Sequence, residues 1–240
     1  MPSDRLMLES SQPTILHTDA EAWSTYAAEA IGSAIRSILK QRQTCSLMLT
    51  GGRSAARVYT EWASSINFPT KGTHLFFGDE RCVGPDHSAS NYRLAVRTLF
   101  PHGLPRETII NRMEGERSDL EAAARDYEAC LPRAIDILLL GLGSDGHIAS
   151  LFPGSQVFSE TDRLVVPVTG STSPHDRLTI TPSVVTNAHR IFLLAPGKEK
   201  GQVLAEALRA PADIRSFPVR LTLRGTWLLD TEAVCQLETV

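Results

Sequence analysis

The chain contains 240 residues, with 24 lysines and arginines against 27 aspartates and glutamates, so its formal net charge is -3 at pH 7. Hydrophobic residues make up 42% of the chain and charged residues 21%, which predicts a single folded domain spanning residues 1–240 rather than a disordered chain. Because the charge balance is slightly acidic and no basic stripe occurs, the composition argues against a nucleic-acid partner.

The cysteines and the apolar segments bear on the compartment in which the protein works. Four cysteines are scattered along the chain without a CxxC pair, which predicts reduced thiols: Cys45, Cys82, Cys130 and Cys235. The N-terminal residues 1–13 contain an early acid and no long apolar stretch, so they do not resemble a secretory signal. The most apolar run, residues 137–142, is far shorter than the ~20 residues that span a bilayer. We therefore expect a cytoplasmic protein with no membrane partner. The sequence leaves open whether it is a monomer or a homodimer.

Helical and strand patterns alternate along the chain. Thr18 to Glu21 has the pattern of a capping box, and apolar residues at helical spacing follow it, which predicts a helix over residues 19–41. Further helices are predicted over residues 54–64, 91–100, 119–131, 183–188 and 198–209. Strands are predicted over residues 45–50, 73–77, 137–140, 163–168, 177–181, 190–195 and 226–230, with a helix or strand from residue 231 onward. This alternation favours an α/β fold with a doubly wound, mostly parallel sheet and helices on both faces, a Rossmann-like three-layer sandwich.

The segment 136–154, DILLLGLGSDGHIASLFPG, has the pattern of a buried strand followed by a tight turn. Three glycines lie within six residues, at positions 141, 143 and 146, where they permit positive φ and close backbone approach. Open α/β sheets bind ligands at the carboxyl ends of their strands, where this turn would lie. A short helix is predicted from Ile148, ended after about two turns by Pro153 and Gly154.

The same turn partly matches two well-known motifs. Its glycines fit GxGxxG, but a dinucleotide site needs a full crossover helix behind them, and Pro153 ends the predicted helix too early. Ser144 nearly fits the GxSxG motif of α/β-hydrolases, but Leu142 stands where the first glycine is required. A dinucleotide site is therefore disfavoured, and a serine hydrolase stays a weaker alternative.

His147 is the candidate catalytic residue in this turn. A neutral imidazole can act as a general base, and a carboxylate beside it, here Asp145, can orient the ring and stabilise the imidazolium. The alternative is a histidine that only satisfies backbone groups near the turn. The dense glycines and the buried strand before them favour the catalytic interpretation.

Cationic residues follow other predicted strands. Asp79, Glu80 and Arg81 come directly after one strand and would form either a surface ion-pair cluster or a substrate clamp. Arg177 lies on another strand, and Lys200 lies in the first turn of a helix, where an anion is favoured. The His, Asp and Glu spacings match no standard metal pattern, so no metal site is expected.

Three blocks of the sequence carry a resemblance to a known family. They are residues 49–52 (LTGG), residues 74–91 (HLFFGDERCVGPDHSASN) and residues 136–154. The last two are similar to the DER-VxxxHxxSN and GxGxDGHxASLFPG patterns of 6-phosphogluconolactonases, which share a superfamily with glucosamine-6-phosphate deaminases. Weaker agreement continues through residues 177–179 and 197–200 to Trp227 and Asp230.

The resemblance implies hydrolysis of 6-phospho-D-glucono-1,5-lactone, a small phosphosugar lactone, in the oxidative pentose phosphate pathway without any cofactor. His147 would be the general base, with Asp145 as its neighbour, and Arg81, Arg177 and Lys200 would bind the phosphorylated substrate. The other candidate substrate-binding residues are Gly51, Gly52, Arg53, Asp79 and Gly143.

Two departures from related patterns shape the alternatives. The first block more usually continues as GGSTP, whereas this chain has Arg53, a cation that opposes the helix dipole unless it meets an anion. The related deaminases carry a tyrosine where this chain has Arg81, and an Asn-Glu pair where it has Leu151 and Phe152. The missing glutamate argues against a deaminase. A deaminase-like enzyme and a non-catalytic phosphosugar-binding protein are the alternatives that we retain.

Overall fold

The computed structural model of the protein describes residues 12–64, 68–170 and 173–238. Its strands, in chain order, are β1 (Thr14–Thr18), β2 (Cys45–Leu49), β3 (Thr73–Phe77), β4 (Asp79–Arg81), β5 (Ile109–Ile110), β6 (Ile137–Gly141), β7 (Val165–Thr169), β8 (Asp176–Ile180), β9 (Arg190–Leu194) and β10 (Thr226–Asp230). Its helices are α1 (Trp23–Gln41), α2 (Arg53–Ser64), α3 (Asn91–Leu99), α4 (Leu120–Cys130), α5 (Pro182–Asn187), α6 (Lys198–Arg209) and α7 (Thr231–Leu237). Most of the N-terminal segment 1–13, for which no secretory signal is predicted, lies outside these residues.

Seven strands form a parallel sheet in the order β1-β10-β9-β6-β2-β3-β5. Side chains alternate between its two faces: Leu47 and Leu49 of β2 pack with α1, α2 and α3, while Met48 packs on the opposite face with residues of α4, α5, α6 and α7. Because both faces are covered, the central strands are continuous apolar runs. The predicted doubly wound, three-layer architecture is confirmed.

Strands β4, β8 and β7 form a second, antiparallel sheet that packs on one face of the large sheet. Residues 163–168 and 177–181 were correctly predicted as strands, but they pair with each other and not with the parallel sheet. The segment Asp79–Arg81 was placed after the end of a predicted strand, and the sequence did not predict that it forms a strand of its own. Its partner in β8 lies about a hundred residues away, so no local pattern reveals the pairing.

Three local predictions about helix starts were also wrong. Thr18 ends β1, a strand that the sequence did not predict, and the first helix begins at Trp23 with the Asp19 side chain accepting from the Ala22 amide at 2.8 Å. Residues 118–121 also have the pattern of a capping box, which predicts Ser118 as the cap of α4, but the structure caps this helix with Asp119. No helix follows Ile148, because residues 148–151 form a tight turn closed by an isolated bridge.

The structure also bears on the membrane prediction. None of the helices among the described residues combines the length and the apolar character needed to cross a membrane.

Candidate active site

A cavity of about 810 Å³ lies at the carboxyl edge of the parallel sheet. The segments that follow β2, β3, β6 and β9 all contribute to its wall, as expected for an open α/β sheet. The structure brings the following predicted site residues to this cavity: Gly51, Gly52, Arg53, Asp79, Arg81, Gly143, His147, Arg177 and Lys200. Asp145 does not line the cavity and lies behind His147.

The turn after β6 holds His147 through its own backbone. The Gly143 amide donates to the His147 carbonyl at 2.9 Å, and the Gly146 amide donates to the Gly143 carbonyl at 3.1 Å. Gly146 has a φ of +84°, a conformation that L side chains rarely adopt. The turn therefore depends on glycine at position 146, and it presents the imidazole to the cavity without a helix behind it.

Asp145 fixes the orientation of the His147 ring. Its Oδ1 lies 2.5 Å from Nδ1 of His147 and also accepts from the His147 amide at 3.2 Å. The His147 side chain is 31% exposed, so the ring is accessible from the cavity while one nitrogen is held by the carboxylate. This arrangement leaves Nε2 to exchange a proton with a bound molecule.

Two neighbours leave the His147 ring little freedom. A Cβ added at Gly143 would lie 2.1 Å from Nδ1 of His147 and 2.8 Å from Oδ1 of Asp145, so only glycine fits beside the pair. The Phe152 ring lies on the other side, with its centroid 4.8 Å from that of His147. Phe152 is thus part of the site, although sequence reasoning gave it no role there.

Asp79 is a buried carboxylate in the cavity wall. The Ser150 hydroxyl donates to its Oδ2 at 2.7 Å, and the side-chain amide of Asn91 donates to its Oδ1 at 3.1 Å. A Cβ at Gly51 would lie 1.9 Å from Oδ1 of Asn91, which explains the glycine there. Sequence reasoning gave neither residue a role in the site: Ser150 was missed, and Asn91 was predicted only as the start of a helix. Both nevertheless lie inside two of the motif blocks.

Glu80 has a structural role that differs from both sequence interpretations. Its carboxylate accepts from the amides of Asn91 and Tyr92 and from the Ser90 hydroxyl, so it caps the N-terminus of α3. Burial raises the pKa of this carboxyl group. Glu80 therefore belongs neither to a surface ion-pair cluster nor to a substrate clamp.

Arg81 and Arg177 stand opposite each other on β4 and β8. Burial, followed by the charge of Arg81, lowers the pKa of Arg177. One Arg81 nitrogen, Nη1, donates to the Ala89 carbonyl at 2.6 Å, and the buried Nε has no hydrogen-bond acceptor among the described residues. Like charges directly opposite on neighbouring strands are destabilising, so this pair is suited to sharing an anion.

Lys200 supplies a further cation, from the first turn of α6. Its Nζ donates to the Ser54 hydroxyl at 2.8 Å and lies 3.5 Å from the Leu194 carbonyl oxygen. Burial, followed by the charge of Arg53, lowers the pKa of Lys200 to about 8. Ser54, which anchors the ammonium, was not predicted as a site residue, because a hydroxyl in a helix carries no signal of its own.

The structure does not favour a serine nucleophile or a dinucleotide site, the two alternatives that the turn motifs raised. Ser144 is exposed and is not part of the cavity wall, so its position does not favour a serine nucleophile. The glycine turn opens no crossover helix, which a dinucleotide site would need. No cluster of three or more potential metal ligands occurs within the described ranges.

The chain is similar to known proteins over most of its length. The profile of the family described as glucosamine-6-phosphate isomerases/6-phosphogluconolactonase matches residues 18–229. A 6-phosphogluconolactonase of Synechocystis is 33% identical over 221 residues, which cover 86% of this chain and 90% of the relative. A 6-phosphogluconolactonase of Mycobacterium leprae is 31% identical over 240 residues, covering 92% and 97%.

Solved structures show the same likeness. The 6-phosphogluconolactonase of Trypanosoma cruzi superposes with a TM-score of 0.82 at 28% sequence identity, covering 95% of this chain and 98% of that one. Both the sequence match and the shared architecture extend over nearly the whole chain. The chain belongs to the glucosamine-6-phosphate isomerase/6-phosphogluconolactonase family.

Proposed function

We propose that the protein is a 6-phosphogluconolactonase, a carboxylic ester hydrolase that converts 6-phospho-D-glucono-1,5-lactone to 6-phospho-D-gluconate in the oxidative pentose phosphate pathway. The names of the Synechocystis and Mycobacterium leprae relatives support this activity. The single observation that carries the assignment is the imidazole of His147, oriented by Asp145 in a cavity lined with cations.

In the proposed mechanism, His147 acts as a general base on water. Nδ1 donates to Asp145, so the lone pair on Nε2 takes a proton from water as the water oxygen bonds to C1 of the lactone. The tetrahedral oxyanion then collapses, the C1–O5 bond breaks, and the proton on Nε2 passes to O5, which becomes the C5 hydroxyl. An activated lactone needs no covalent nucleophile, so Ser144 has no role in this sequence of steps.

The oxyanion at C1 needs a hydrogen-bond donor, and Arg81 is the best candidate. The Gly143, Gly146 and His147 amides already donate within the turn. Arg81 faces the cavity with a buried Nε that has no acceptor among the residues described. A preorganised cation of this kind stabilises the charge that develops in the transition state.

Arg177 and Lys200 are proposed to bind the substrate, and their replacement tests this role. We expect Arg177→Ala and Lys200→Ala each to raise KM for the phosphorylated lactone about 10- to 100-fold, with kcat changed much less, because each removes a charged donor to an anion. Initial-rate kinetics, corrected for spontaneous hydrolysis, measure both constants. Arg97→Ala, an exposed change on α3 outside the cavity, should leave KM unchanged. An unaltered KM in both site variants would remove them from the substrate site.

The pKa of Lys200 predicts how substrate binding depends on pH. Lys200 is a cation below about pH 8 and neutral above it, so the charge that attracts phosphate is lost as the pH rises. KM of the wild-type protein should therefore increase between pH 7 and 9, toward the value of Lys200→Ala. Lys200→Arg, which stays charged, should show a flat KM over this range. A wild-type KM that is equally flat would contradict the prediction.

The related deaminase activity is not favoured by the side chains near His147. Leu151 is fully buried, and Phe152 packs on the His147 ring, at the positions where deaminases are expected to carry an Asn-Glu pair. The first experiment follows the loss of freshly generated 6-phosphogluconolactone and, in parallel, ammonia release from glucosamine 6-phosphate. Lactone loss above the spontaneous rate without ammonia supports the lactonase. Ammonia release would indicate a deaminase, and neither signal would indicate a non-catalytic phosphosugar-binding protein.

We propose that the partner is the small phosphosugar lactone alone, with neither nucleic acid nor membrane. We further propose that the protein works in the cytoplasm as a monomer or homodimer, which size-exclusion chromatography with light scattering would test.

A further inference from the structure

Tyr59 on α2 holds both backbone groups of one residue at the end of β2. Its hydroxyl donates to the Thr50 carbonyl at 2.8 Å and accepts from the Thr50 amide at 3.0 Å. The pairing of β2 with β3 ends at Leu49, so both groups of Thr50 lie beyond the ladder of the parallel sheet. Tyr59 is fully buried, and burial raises the pKa of its phenol, so the hydroxyl keeps the proton that it donates. The tyrosine therefore takes the place of a neighbouring strand at Thr50.

The position of this hydroxyl is fixed by packing. The Tyr59 ring stacks on the indole of Trp62, with the centroids 5.7 Å apart, and the indole nitrogen donates to the Ala28 carbonyl of α1 at 2.9 Å. Both rings belong to the apolar core on the face of the sheet that α1, α2 and α3 cover. The main chain at Thr50 is thus attached to a rigid part of the molecule.

Thr50 begins the turn between β2 and α2, which forms part of the cavity wall. Two successive glycines, Gly51 and Gly52, follow it, and glycine restricts the backbone least of all residues. Ser54, in the first turn of α2, accepts from the ammonium of Lys200 at 2.8 Å. A movement of the main chain at Thr50 would therefore displace a part of the wall to which the substrate is proposed to bind.

The Thr50 side chain connects this turn to the strand that leads to His147. Its Oγ1 accepts from the amide of Gly141 at 3.3 Å, and Gly141 is the last residue of β6. The turn that holds His147 begins directly after Gly141, and residues of both turns line the cavity. Thr50 is therefore bound to Tyr59 through its main chain and to the end of β6 through its side chain.

We propose that Tyr59 is a positioning residue, whose hydroxyl acts through Thr50 to fix the substrate-binding turn, residues 50–53, relative to the turn that carries His147. This inference rests on the proposed lactonase function and deepens it. A general base acts over hydrogen-bond distances, and a displacement of about 1 Å at a reacting group lowers the rate about 100-fold. Tyr59 does not line the cavity, so its loss changes the separation of binding and catalytic groups and removes no contact with the substrate.

Tyr127 on α4 offers a matched control on the opposite face of the sheet. Its buried hydroxyl accepts from the Phe77 amide at 2.7 Å and donates to the Phe77 carbonyl at 3.0 Å. Phe77, however, is paired with β2 in the sheet and does not line the cavity. Asp79, two residues later, is held by side-chain hydrogen bonds of its own and by pairing with β8. Loss of this hydroxyl breaks the same two kinds of bond and leaves the turn at residues 50–53 in place.

The kinetic test compares Tyr59→Phe with Tyr127→Phe on 6-phosphogluconolactone. Both variants keep the ring, and both should lower the unfolding midpoint similarly, because each leaves two buried backbone groups without their partner. The kinetics are measured well below both midpoints, where the proteins are folded. There, Tyr59→Phe should lower kcat about tenfold, part of the loss that a displacement of about 1 Å causes, whereas Tyr127→Phe should keep kcat and KM within about twofold of the wild-type values.

A double-mutant cycle tests whether Thr50 carries the effect. Thr50→Val keeps the shape of the side chain and removes the acceptor for the Gly141 amide, so it should also lower kcat. In the double variant with Tyr59→Phe, the loss in kcat should be smaller than the product of the two single losses, since both changes interrupt one connection. Losses that simply multiply would mean that Tyr59 does not act through this bond.

Hydrogen exchange separates this inference from the lactonase assignment, because it needs no turnover. In Tyr59→Phe, the amides of residues 50–53 and 141–147 should exchange faster than in the wild-type protein, and in Tyr127→Phe they should stay as protected as in the wild-type protein. That pattern supports the inference even if the wild-type protein hydrolyses no lactone. Unchanged exchange in these two turns would overturn it, and so would an unchanged kcat in Tyr59→Phe or an equal loss of kcat in both variants.

Discussion

Replacing His147 with alanine is expected to lower kcat for 6-phosphogluconolactone by about 100- to 10,000-fold, the usual contribution of a positioned general base. The ring contacts Asp145 and Phe152 and is partly exposed, so its loss opens little space in the core. We therefore expect the thermal unfolding midpoint to stay within a few degrees of the wild-type value. Stopped reactions at several enzyme concentrations, with the spontaneous rate subtracted, measure the remaining activity.

Ser144→Ala is the matched control for His147→Ala. Ser144 lies in the same turn, but it is exposed and outside the cavity wall, so its removal should not alter kcat. If His147→Ala kept a near-normal rate, the base assignment would be abandoned. If Ser144→Ala instead lost activity, that result would favour a serine hydrolase over a histidine-activated water.

The parallel sheet was predictable because each central strand is a short, wholly apolar run. Residues 137–140 are fully buried on both faces, and no amphipathic pattern competes with the strand pattern there. The cavity was predictable for a related reason. Parallel strands all end at the same edge, so residues that follow separate strands, such as Asp79 and His147, meet there although 68 positions separate them in the sequence.

The parts that could not be predicted depend on contacts between distant segments. Strand β4 exists because Asp79–Arg81 pairs with β8, and the Asp79 carboxylate is held by Ser150, which lies in the turn after β6. The predicted helix after Ile148 fails because Ala149 adopts a φ of +48° and the chain closes into a tight turn. Helical spacing in six residues is too weak a signal to compete with such tertiary contacts.

These tertiary contacts position the side chains that are proposed to act in catalysis. Ser150 lies in the turn that contains His147, and its hydroxyl donates a hydrogen bond to the carboxylate of Asp79. Asp79 in turn begins β4, the strand on which Arg81 lies opposite Arg177. The positions of the proposed base, His147, and of the proposed oxyanion donor, Arg81, therefore both depend on the hydrogen bond between Ser150 and Asp79. For this reason, we expect the separation of these two groups to respond to changes in the turn as well as to changes in the catalytic side chains themselves.

Gly143→Ala is the change that tests this dependence most directly, and we expect it to reduce kcat about 100-fold, as a displacement of about 1 Å at a reacting group does. The backbone at Gly143 is not in the left-handed region, so alanine adds no conformational strain there. Its Cβ, however, would lie 2.1 Å from Nδ1 of His147 and 2.8 Å from Oδ1 of Asp145. Both are ends of side chains, so the imidazole and the carboxylate can move apart while the fold persists.

Gly84→Ala is the control, because a Cβ at Gly84 meets no atom within 4 Å and its φ is not positive. That variant should keep wild-type kcat and stability. For Gly143→Ala we expect an unfolding midpoint near that of the wild-type protein together with the loss in kcat, since the clash is relieved by side-chain movement and not by the backbone. Wild-type kcat in Gly143→Ala would mean that the paired position of Asp145 and His147 is unnecessary for turnover. The mechanism would then require a base that acts without the carboxylate.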